Sequence, residues 1–139
     1  MRYLAIDHGT RRMGIAISDE LKMIAQPMEY IPSEPWEGFL ARLQQILAEK
    51  EVELIVVGMP RNMDGTYGPA AQRVNEFVAA LAQAIRVPIK TLDERLTSSQ
   101  AHRVLLQGNV RRADRKEHVD KMAAAILLQS YLDARPAAR

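Results

Sequence analysis

The sequence predicts an α/β fold in which helices cover both faces of a mixed five-stranded sheet, with three antiparallel strands followed by two parallel ones. Three observations lead to this class. Strand-like segments occupy the first part of the chain, before any helical pattern begins. The continuous apolar run at residues 54–58 is typical of a central strand that is covered on both faces. Helical patterns then separate the remaining strands, which makes those strand pairs parallel.

The N-terminal strands are predicted to form an antiparallel unit. An apolar segment at residues 2–7 ends in a carboxylate, a turn covers residues 8–12, and a weakly alternating segment follows at residues 13–18. These first two strands should form a hairpin. A third strand is expected at residues 24–31. Because proline cannot donate a ladder hydrogen bond, Pro27 favours an edge position for this strand.

The rest of the chain alternates between helical and strand patterns. Apolar residues at helical spacing predict the helices, and a capping box formed by Thr97 and Gln100 marks the start of the third one. The predicted elements are a helix that Ser33 and Pro35 open and that ends near Lys50, the strand at 54–58, a loop from Met59 to Pro69, a helix over 71–85, a strand over 88–92, a helix from Thr97 to about Gly108, a basic loop, and a final helix over 118–134.

Length and composition narrow the class of protein. A chain of 139 residues, 47% hydrophobic and 26% charged, is expected to form a single globular domain over residues 1–139. The absence of cysteine excludes disulfides, thiolate metal sites and cysteine nucleophiles. The N-terminal apolar run is broken by Asp7 and is too short for a signal-peptide core or a membrane span. We therefore expect a cytoplasmic protein with no membrane partner.

The charge is distributed unevenly along the chain. Residues 1–85 carry 8 Lys and Arg against 11 Asp and Glu, whereas residues 86–139 carry 11 against 6. Five of these cations lie between Arg103 and Lys116, a clustering that suits either a polyanionic partner or a solvated loop. Aromatic residues make up only 5% of the chain, which argues against a base-stacking platform.

Carboxylates occur at three places where an apolar core would not favour them. Asp7 ends the first strand, and Asp93 and Glu94 directly follow the last one. Asp120 lies at one end of the apolar stripe of the final helix. Because ligands bind at the carboxyl ends of the strands in an open α/β sheet, these groups are expected to converge there. Oxygen ligands without cysteine or clustered histidine suit Mg²⁺ or Mn²⁺, and two such ions about 4 Å apart can promote phosphodiester cleavage.

Each carboxylate also has a structural alternative that spacing alone leaves open. These are a turn cap for Asp7, an ion pair with Arg95 for Asp93, a solvated loop position for Glu94 and a favourable helix-start charge for Asp120. An unpaired carboxylate on an apolar stripe is costly, so Asp120 in that position requires a cation, an arginine or a metal.

Four motifs carry a resemblance to a known family. They are DHGTRRMG at residues 7–14, GMPRNMDG at 58–65, DERLT at 93–97, and the pair Val119 and Asp120 that opens the last helix. Over nearly its whole length the chain resembles the YqgF (RuvX) family of Holliday-junction-resolvase-like nucleases, which share the ribonuclease H fold.

This resemblance implies metal-dependent hydrolysis of phosphodiesters in structured nucleic acid. The implied role is either maturation of the 5′ end of precursor 16S ribosomal RNA or resolution of four-way DNA junctions, and the implied cofactor is Mg²⁺ or Mn²⁺. The catalytic acids of the family match Asp7, Asp120 and the pair of Asp93 and Glu94. We favour Glu94 as the metal ligand beside Asp7 and Asp120, with Asp93 in reserve.

Residues around these acids are expected to bind the nucleic acid. The family often has Lys where this chain has His118, and Ser where it has Lys121, so a phosphate contact by His118 would depend on pH near neutrality. Gly9 is expected to let a phosphate backbone approach closely, and Arg95 either clamps a phosphate or neutralises the acidic cluster. The expected nucleic-acid contacts are Thr10, Arg11, Asn62, Arg95, Arg111, Arg112, Arg115, Lys116 and His118.

Two other functions fit parts of the sequence. Actin-like ATPases and sugar kinases also have an Asp-x-Gly-Thr loop after a strand and then a Gly, as in residues 7–14, but they need two such domains around the nucleotide. A domain of this fold could also bind structured RNA or DNA without cutting it, although all three acidic positions are retained here. Symmetric cleavage of a four-way junction would require a two-fold homodimer, because two equivalent strands must be cut.

Overall fold

The computed structural model describes residues 1–60, 66–94 and 115–135, and in the last helix it describes side chains from Met122 onward. The described elements are β1 (Arg2–Asp7), β2 (Arg12–Ser18), β3 (Ala25–Pro32), α1 (Trp36–Glu49), β4 (Val52–Met59), α2 (Pro69–Ala84), β5 (Ile89–Asp93) and α3 (Arg115–Ala134). The helix predicted at 97–108 lies outside the described residues. None of the described helices is both long enough and apolar enough to cross a membrane.

The five strands form one sheet in the order β3-β2-β1-β4-β5. β1 is antiparallel to β2 and β2 to β3, whereas β4 pairs in parallel with both β1 and β5. This arrangement confirms the predicted mixed sheet. β3 lies at an edge of the sheet, which confirms the position that Pro27 predicted for it.

Helices cover both faces of the sheet, as predicted. α1 and α2 pack on one face, where Phe39 and Leu81 join Ile6 of β1 in a large buried cluster. α3 packs on the other face, where Ala124 meets Ala5 in a second buried cluster. Because small side chains meet on this second face, the helix can lie close to the strands.

The strand termini lie along two opposite sides of the sheet, which are distinct from its outer strands β3 and β5. The carboxyl ends of β1, β4 and β5 meet at one of them, which we name the Asp7 edge. The turn between β2 and β3 lies at the other, which we name the Asp19 edge. α3 runs from the first edge toward the second, because Ala124 lies beside Gly14, the strand partner of Asp7, whereas the later residue Gln129 bonds to the start of β3.

The final helix begins earlier than the sequence pattern predicts. α3 starts at Arg115 rather than at His118, so Arg115 and Lys116 lie in its first turn. The prediction of a basic loop through Lys116 was therefore wrong for these two residues. Arg, Lys and Glu are strong helix formers, and no glycine or proline separates Arg115 from the apolar part of the helix. Asp120 lies inside the helix, as predicted.

Candidate active site

Two of the predicted acids share a cavity at the Asp7 edge. Asp7 is the last residue of β1, and Glu94 directly follows β5. Both line a cavity of about 210 Å³. Because Ala5 packs against α3 and side chains alternate along a strand, Asp7 lies on the α3 side of the sheet. β4 separates β1 from β5, so a side chain has to cross β4 for the two acids to meet.

Gly58 in β4 provides the space for this crossing. A Cβ atom added at Gly58 would lie 2.7 Å from Glu94 Oε1, 3.1 Å from Glu94 Cγ and 3.2 Å from Leu127 Cδ2. The Glu94 side chain therefore lies directly over the Gly58 backbone, under α3. Any larger residue at position 58 would have to displace it. The sequence motif contained this glycine, but its role as the floor under Glu94 becomes visible only in the fold.

The two carboxylates lie in an environment that disfavours their negative charge. Burial raises the pKa of Asp7. Burial also raises the pKa of Glu94, and the charges of Asp7 and Asp93 raise it further. A divalent cation would offset both effects, and carboxylate oxygens are the ligands that Mg²⁺ and Mn²⁺ prefer. The chemistry of Asp7 and Glu94 therefore fits such an ion.

Asp120, the third predicted metal ligand, is described only by its backbone, unlike Asp7 and Glu94. Among the side chains that the structure describes, no three His, Cys, Asp or Glu converge on one point as a metal site. The side chain of Asp120 lies outside the described set, but its backbone lies one helical turn before Ala124. That turn extends α3 about 6 Å beyond Ala124, toward the Asp7 edge. Asp120 as a ligand stays a prediction.

Of the acidic pair, the residue that faces the cavity is Glu94. Asp93 is the last residue of β5, aligned with Met59 of β4, and it is absent from the cavity lining. Its charge nevertheless reaches Glu94, where it raises the pKa. Glu94 as the ligand, with Asp93 in reserve, stays a prediction.

The same cavity is also lined by groups that suit a phosphate. Thr10, a predicted nucleic-acid contact, lines the cavity together with Arg73 and Ala70. Ala70 lies in the first turn of α2, which contains no acidic side chain. Free N–H groups and the helix dipole make such a helix start favourable for an anion.

Arg73 and His8 were not among the residues predicted from the sequence, although both line the cavity. Arg73 lies outside the apolar stripe of α2, and only the docking of that helix brings it to β1. The pKa of His8 is lowered by burial and by the charge of Arg73. This shift favours the neutral imidazole, so among the described residues that line the cavity Arg73 carries the positive charge.

The turn between β1 and β2 is fixed by its own backbone. A Cβ atom added at Gly9 would lie 2.2 Å from the carbonyl oxygen of Arg12, so the turn requires glycine there. Ser33 donates its hydroxyl to the carbonyl oxygen of Gly9 at 2.8 Å and its N–H to that of Arg11 at 2.9 Å. The turn is thus held against the segment that leads into α1. The turn geometry itself requires glycine at position 9, in addition to the predicted close approach of a phosphate.

The other predicted contacts fall at the limits of the described residues. Arg11 is exposed on the β1–β2 turn. The predicted contacts outside the described residues are Asn62, Arg95, Arg111 and Arg112. The predicted contacts in α3 whose side chains are not described are Arg115, Lys116 and His118. Their roles stay predictions.

Comparison with known proteins agrees with the resemblance seen in the motifs. The family model named RuvX and described as Holliday junction resolvase matches residues 1–134. A relative from Symbiobacterium thermophilum, named “Putative pre-16S rRNA nuclease”, is 48% identical over 137 residues, which cover 99% of this chain and 95% of the relative. A relative of the same name from Halothermothrix orenii is 44% identical over 133 residues, with coverage of 96% and 95%.

Two solved structures share the fold. The Holliday junction resolvase of fowlpox virus matches with a TM-score of 0.58 at 14% sequence identity, over 97% of this chain and 100% of that one. T. thermophilus RuvC in complex with a Holliday junction substrate matches with a TM-score of 0.56 at 17% identity, over 96% and 95%. These likenesses confirm the expected ribonuclease H-like fold. At such low sequence identity they concern the fold alone.

Proposed function

The chain belongs to the RuvX family, and we propose that it is a divalent-metal-dependent endonuclease that hydrolyses phosphodiesters in structured nucleic acid. The observation that carries this proposal is the cavity shared by Asp7 and Glu94. Its acids come from two strands separated by a third, and burial raises the pKa of both. Such an arrangement is unfavourable for the fold alone and favourable for a bound cation.

The proposed ligands are Asp7, Glu94 and Asp120, which would hold Mg²⁺ or Mn²⁺. When bound, two such ions supply an activated water as nucleophile and stabilise the leaving oxygen of the phosphodiester. The contribution of this chain is to fix the ligands: Asp7 by the β1 ladder with Gly14, and Glu94 by its place over Gly58.

The remaining groups of the cavity position the substrate. Arg73 and Thr10 would donate hydrogen bonds to the phosphate oxygens, and the start of α2 adds backbone donors. Because these donors and the acids line one cavity of about 210 Å³, a phosphate held by the donors would lie near the proposed metal site. The basic start of α3, with Arg115 and Lys116, would contact phosphates farther along the strand.

Two substrates remain candidates, and each is supported by a different finding. The name of the relatives at 48% and 44% identity supports the 5′ end of precursor 16S ribosomal RNA. The description of the family model supports a four-way DNA junction. We favour the ribosomal RNA precursor, because junction resolution additionally needs a homodimer to cut two equivalent strands. We also propose that residues 1–139 form one nuclease domain and that it acts in the cytoplasm.

The test is cleavage mapping with purified protein and Mg²⁺ or Mn²⁺ on both substrate classes. Wild type should cut the RNA precursor at a defined position, and Asp7→Asn should not. Symmetric cuts in the junction, together with a dimeric mass in solution, would assign the junction instead. Binding of either substrate without any cut in the presence of metal would identify a non-catalytic nucleic-acid-binding domain and refute the proposal.

A further inference from the structure

A second, larger groove adjoins the carboxylate cavity. It has a volume of about 650 Å³ and lies between the start of α1 and the middle of α2. His8, Thr10 and Arg73 line both spaces. The two spaces therefore form one continuous path from the acids into the groove, and a volume of this size holds a small organic ligand or a nucleotide.

One wall of the groove is aromatic, although aromatic residues are scarce in the sequence. Phe77 of α2 lies at its centre, with the His8 ring 5.1 Å away and the Trp36 ring 6.0 Å away, centroid to centroid. Phe39 packs against both Trp36 and Phe77 at 5.7 Å. Trp36 and His8 are only partly buried and line the groove, while Phe39 is in the core. The buried phenylalanines therefore hold two partly open rings in place.

The polar groups of the groove differ between the part that it shares with the carboxylate cavity and the rest of the groove. Arg73 and Thr10 lie where the groove joins the carboxylate cavity. Glu34 and Glu76 line the groove but not the cavity. The two glutamates would repel a phosphate, but their oxygens can accept hydrogen bonds from the N–H groups of a nucleobase. A nucleotide would therefore place its phosphate at Arg73 and its base toward the glutamates.

We propose that this groove holds the base of an unpaired nucleotide next to the phosphate that is cut, with the base stacked on Trp36 and His8. The proposal rests on the proposed nuclease function and specifies its substrate class. A base inside a continuous duplex is stacked and paired, and it would have to be unstacked and unpaired at a cost in free energy before it could enter the groove. The enzyme therefore selects strands that carry an unpaired nucleotide beside the cut. The sequence composition argued against base stacking, but the fold brings the single tryptophan and both phenylalanines together at this groove.

The chain contains a single tryptophan, so the fluorescence of Trp36 reports on the groove directly. The probes are three RNA hairpins: one with a short single-stranded 5′ tail, one with an abasic tail that carries the same phosphates, and one with a blunt end. They are titrated into the Asp7→Asn variant with Mg²⁺, which keeps the RNA intact. The tail with bases should change Trp36 fluorescence and bind about 5- to 100-fold more tightly than the abasic tail. Equal affinities and unchanged fluorescence would overturn the proposal.

Variants sharpen this comparison. Trp36→Ala should bind both tails with the same weak affinity, whereas Trp36→Phe should keep part of the preference for bases. Tyr67→Ala is the matched control, because Tyr67 is an exposed aromatic residue that lies outside the groove. It should keep the full preference. If Trp36→Ala does not fold, the comparison of normal and abasic tails on a chain with Trp36 intact still decides.

Cleavage of the same hairpins by wild type separates the two proposals. Cleavage at equal rates with normal and abasic tails would refute the base groove and leave the nuclease function intact. Base-dependent binding without cleavage by wild type would refute the nuclease function and leave the base groove intact. Base-dependent binding together with base-dependent cleavage is the result expected if both hold.

Discussion

The two edges of the sheet each carry an aspartate at a strand end, and the chain treats these aspartates in opposite ways. Asp19 accepts backbone hydrogen bonds from Met23 at 2.7 Å and Ile24 at 3.0 Å. These bonds lower its pKa. Asp7, at the other edge, lies in a cavity where burial raises its pKa. Asp19 thus stabilises a turn of its own chain, whereas Asp7 lies where a bound cation would offset the cost of its buried charge.

The surroundings of the two aspartates extend the contrast. At the Asp19 edge, Lys22 forms an ion pair with Glu53, and the Gln129 amide joins α3 to Ala25 and Met23. Charged and polar groups there link elements of the fold to one another. At the Asp7 edge they line a cavity and a groove. The groups at the Asp19 edge thus stabilise the fold, and the contrast supports the proposal that the Asp7 edge serves binding.

The largest effect is expected for Asp7→Asn. Loss of this proposed metal ligand should reduce cleavage about 10²- to 10³-fold or more. The metal-free variant should unfold at the same or a higher temperature than wild type, because a neutral amide at this position removes a buried charge beside Glu94. Cleavage rates and thermal unfolding in chelator measure both.

The matched control is Asp19→Asn, which should keep its cleavage activity. A markedly lower unfolding temperature of metal-free Asp7→Asn would show that Asp7 is a structural residue like Asp19. That outcome would remove the contrast between the two edges.

The next effect concerns four predicted phosphate contacts, Arg111, Arg112, Arg115 and Lys116. Replacing the four residues by alanine should weaken nucleic-acid binding and flatten its salt dependence, by a slope of about 0.9 for each lost phosphate contact on duplex DNA. Sequence preference should stay the same, since phosphate contacts position rather than specify. The measurement is affinity against salt concentration for the variant that changes Arg111, Arg112, Arg115 and Lys116.

A control separates the effect of where the positive charges lie from the effect of how many are removed. Lys50 and Arg86 precede β4 and β5 and so lie at the Asp19 edge. Replacing these two by alanine should leave the slope nearly unchanged, whereas replacing Arg115 and Lys116 should reduce it. Equal slopes for the two double variants would mean that nucleic acid does not bind preferentially at the Asp7 edge.

A smaller effect is expected at Gly58. In Gly58→Ala the new Cβ would meet Glu94 Oε1 at 2.7 Å, so the carboxylate must leave its place. Cleavage should fall about tenfold, in the lower range for a misplaced catalytic group, while stability changes little because a flexible side chain gives way. Gly14→Ala is the control, since its Cβ would make only ordinary contacts of 3.6 to 3.8 Å. Wild-type cleavage by Gly58→Ala would mean that the position of Glu94 over β4 is not needed.

The sequence predicted the elements of the Asp7 edge better than their contacts. Alternation and apolar runs were enough to order the strands and to place Asp7 and Glu94 at strand ends. Arg73 and Trp36 were missed as site residues, because only the docking of α1 and α2 on the sheet brings them to β1. Helical spacing predicts which face of a helix is buried, but not which other elements its remaining residues lie beside. Gly9 was noted in the sequence, but only the turn geometry shows that any side chain at this position would clash with the Arg12 carbonyl oxygen.

The smallest effect is expected at Asp19, and it is opposite in sign to that at Asp7. Asp19→Ala removes an acceptor of two backbone N–H bonds and should destabilise the protein by about 1 kcal/mol at neutral pH. Because the folded pKa lies below the ordinary value of 3.8, this stabilisation is complete above that value and is lost as the pH falls through the folded pKa. The gap in urea midpoint between wild type and variant should therefore be constant from pH 7 to about 5 and narrow at about pH 3. A gap that stays constant or widens in acid would show that the carboxylate of Asp19 is not what holds the turn, and the Asp19 edge would then lose its role as the satisfied counterpart of Asp7.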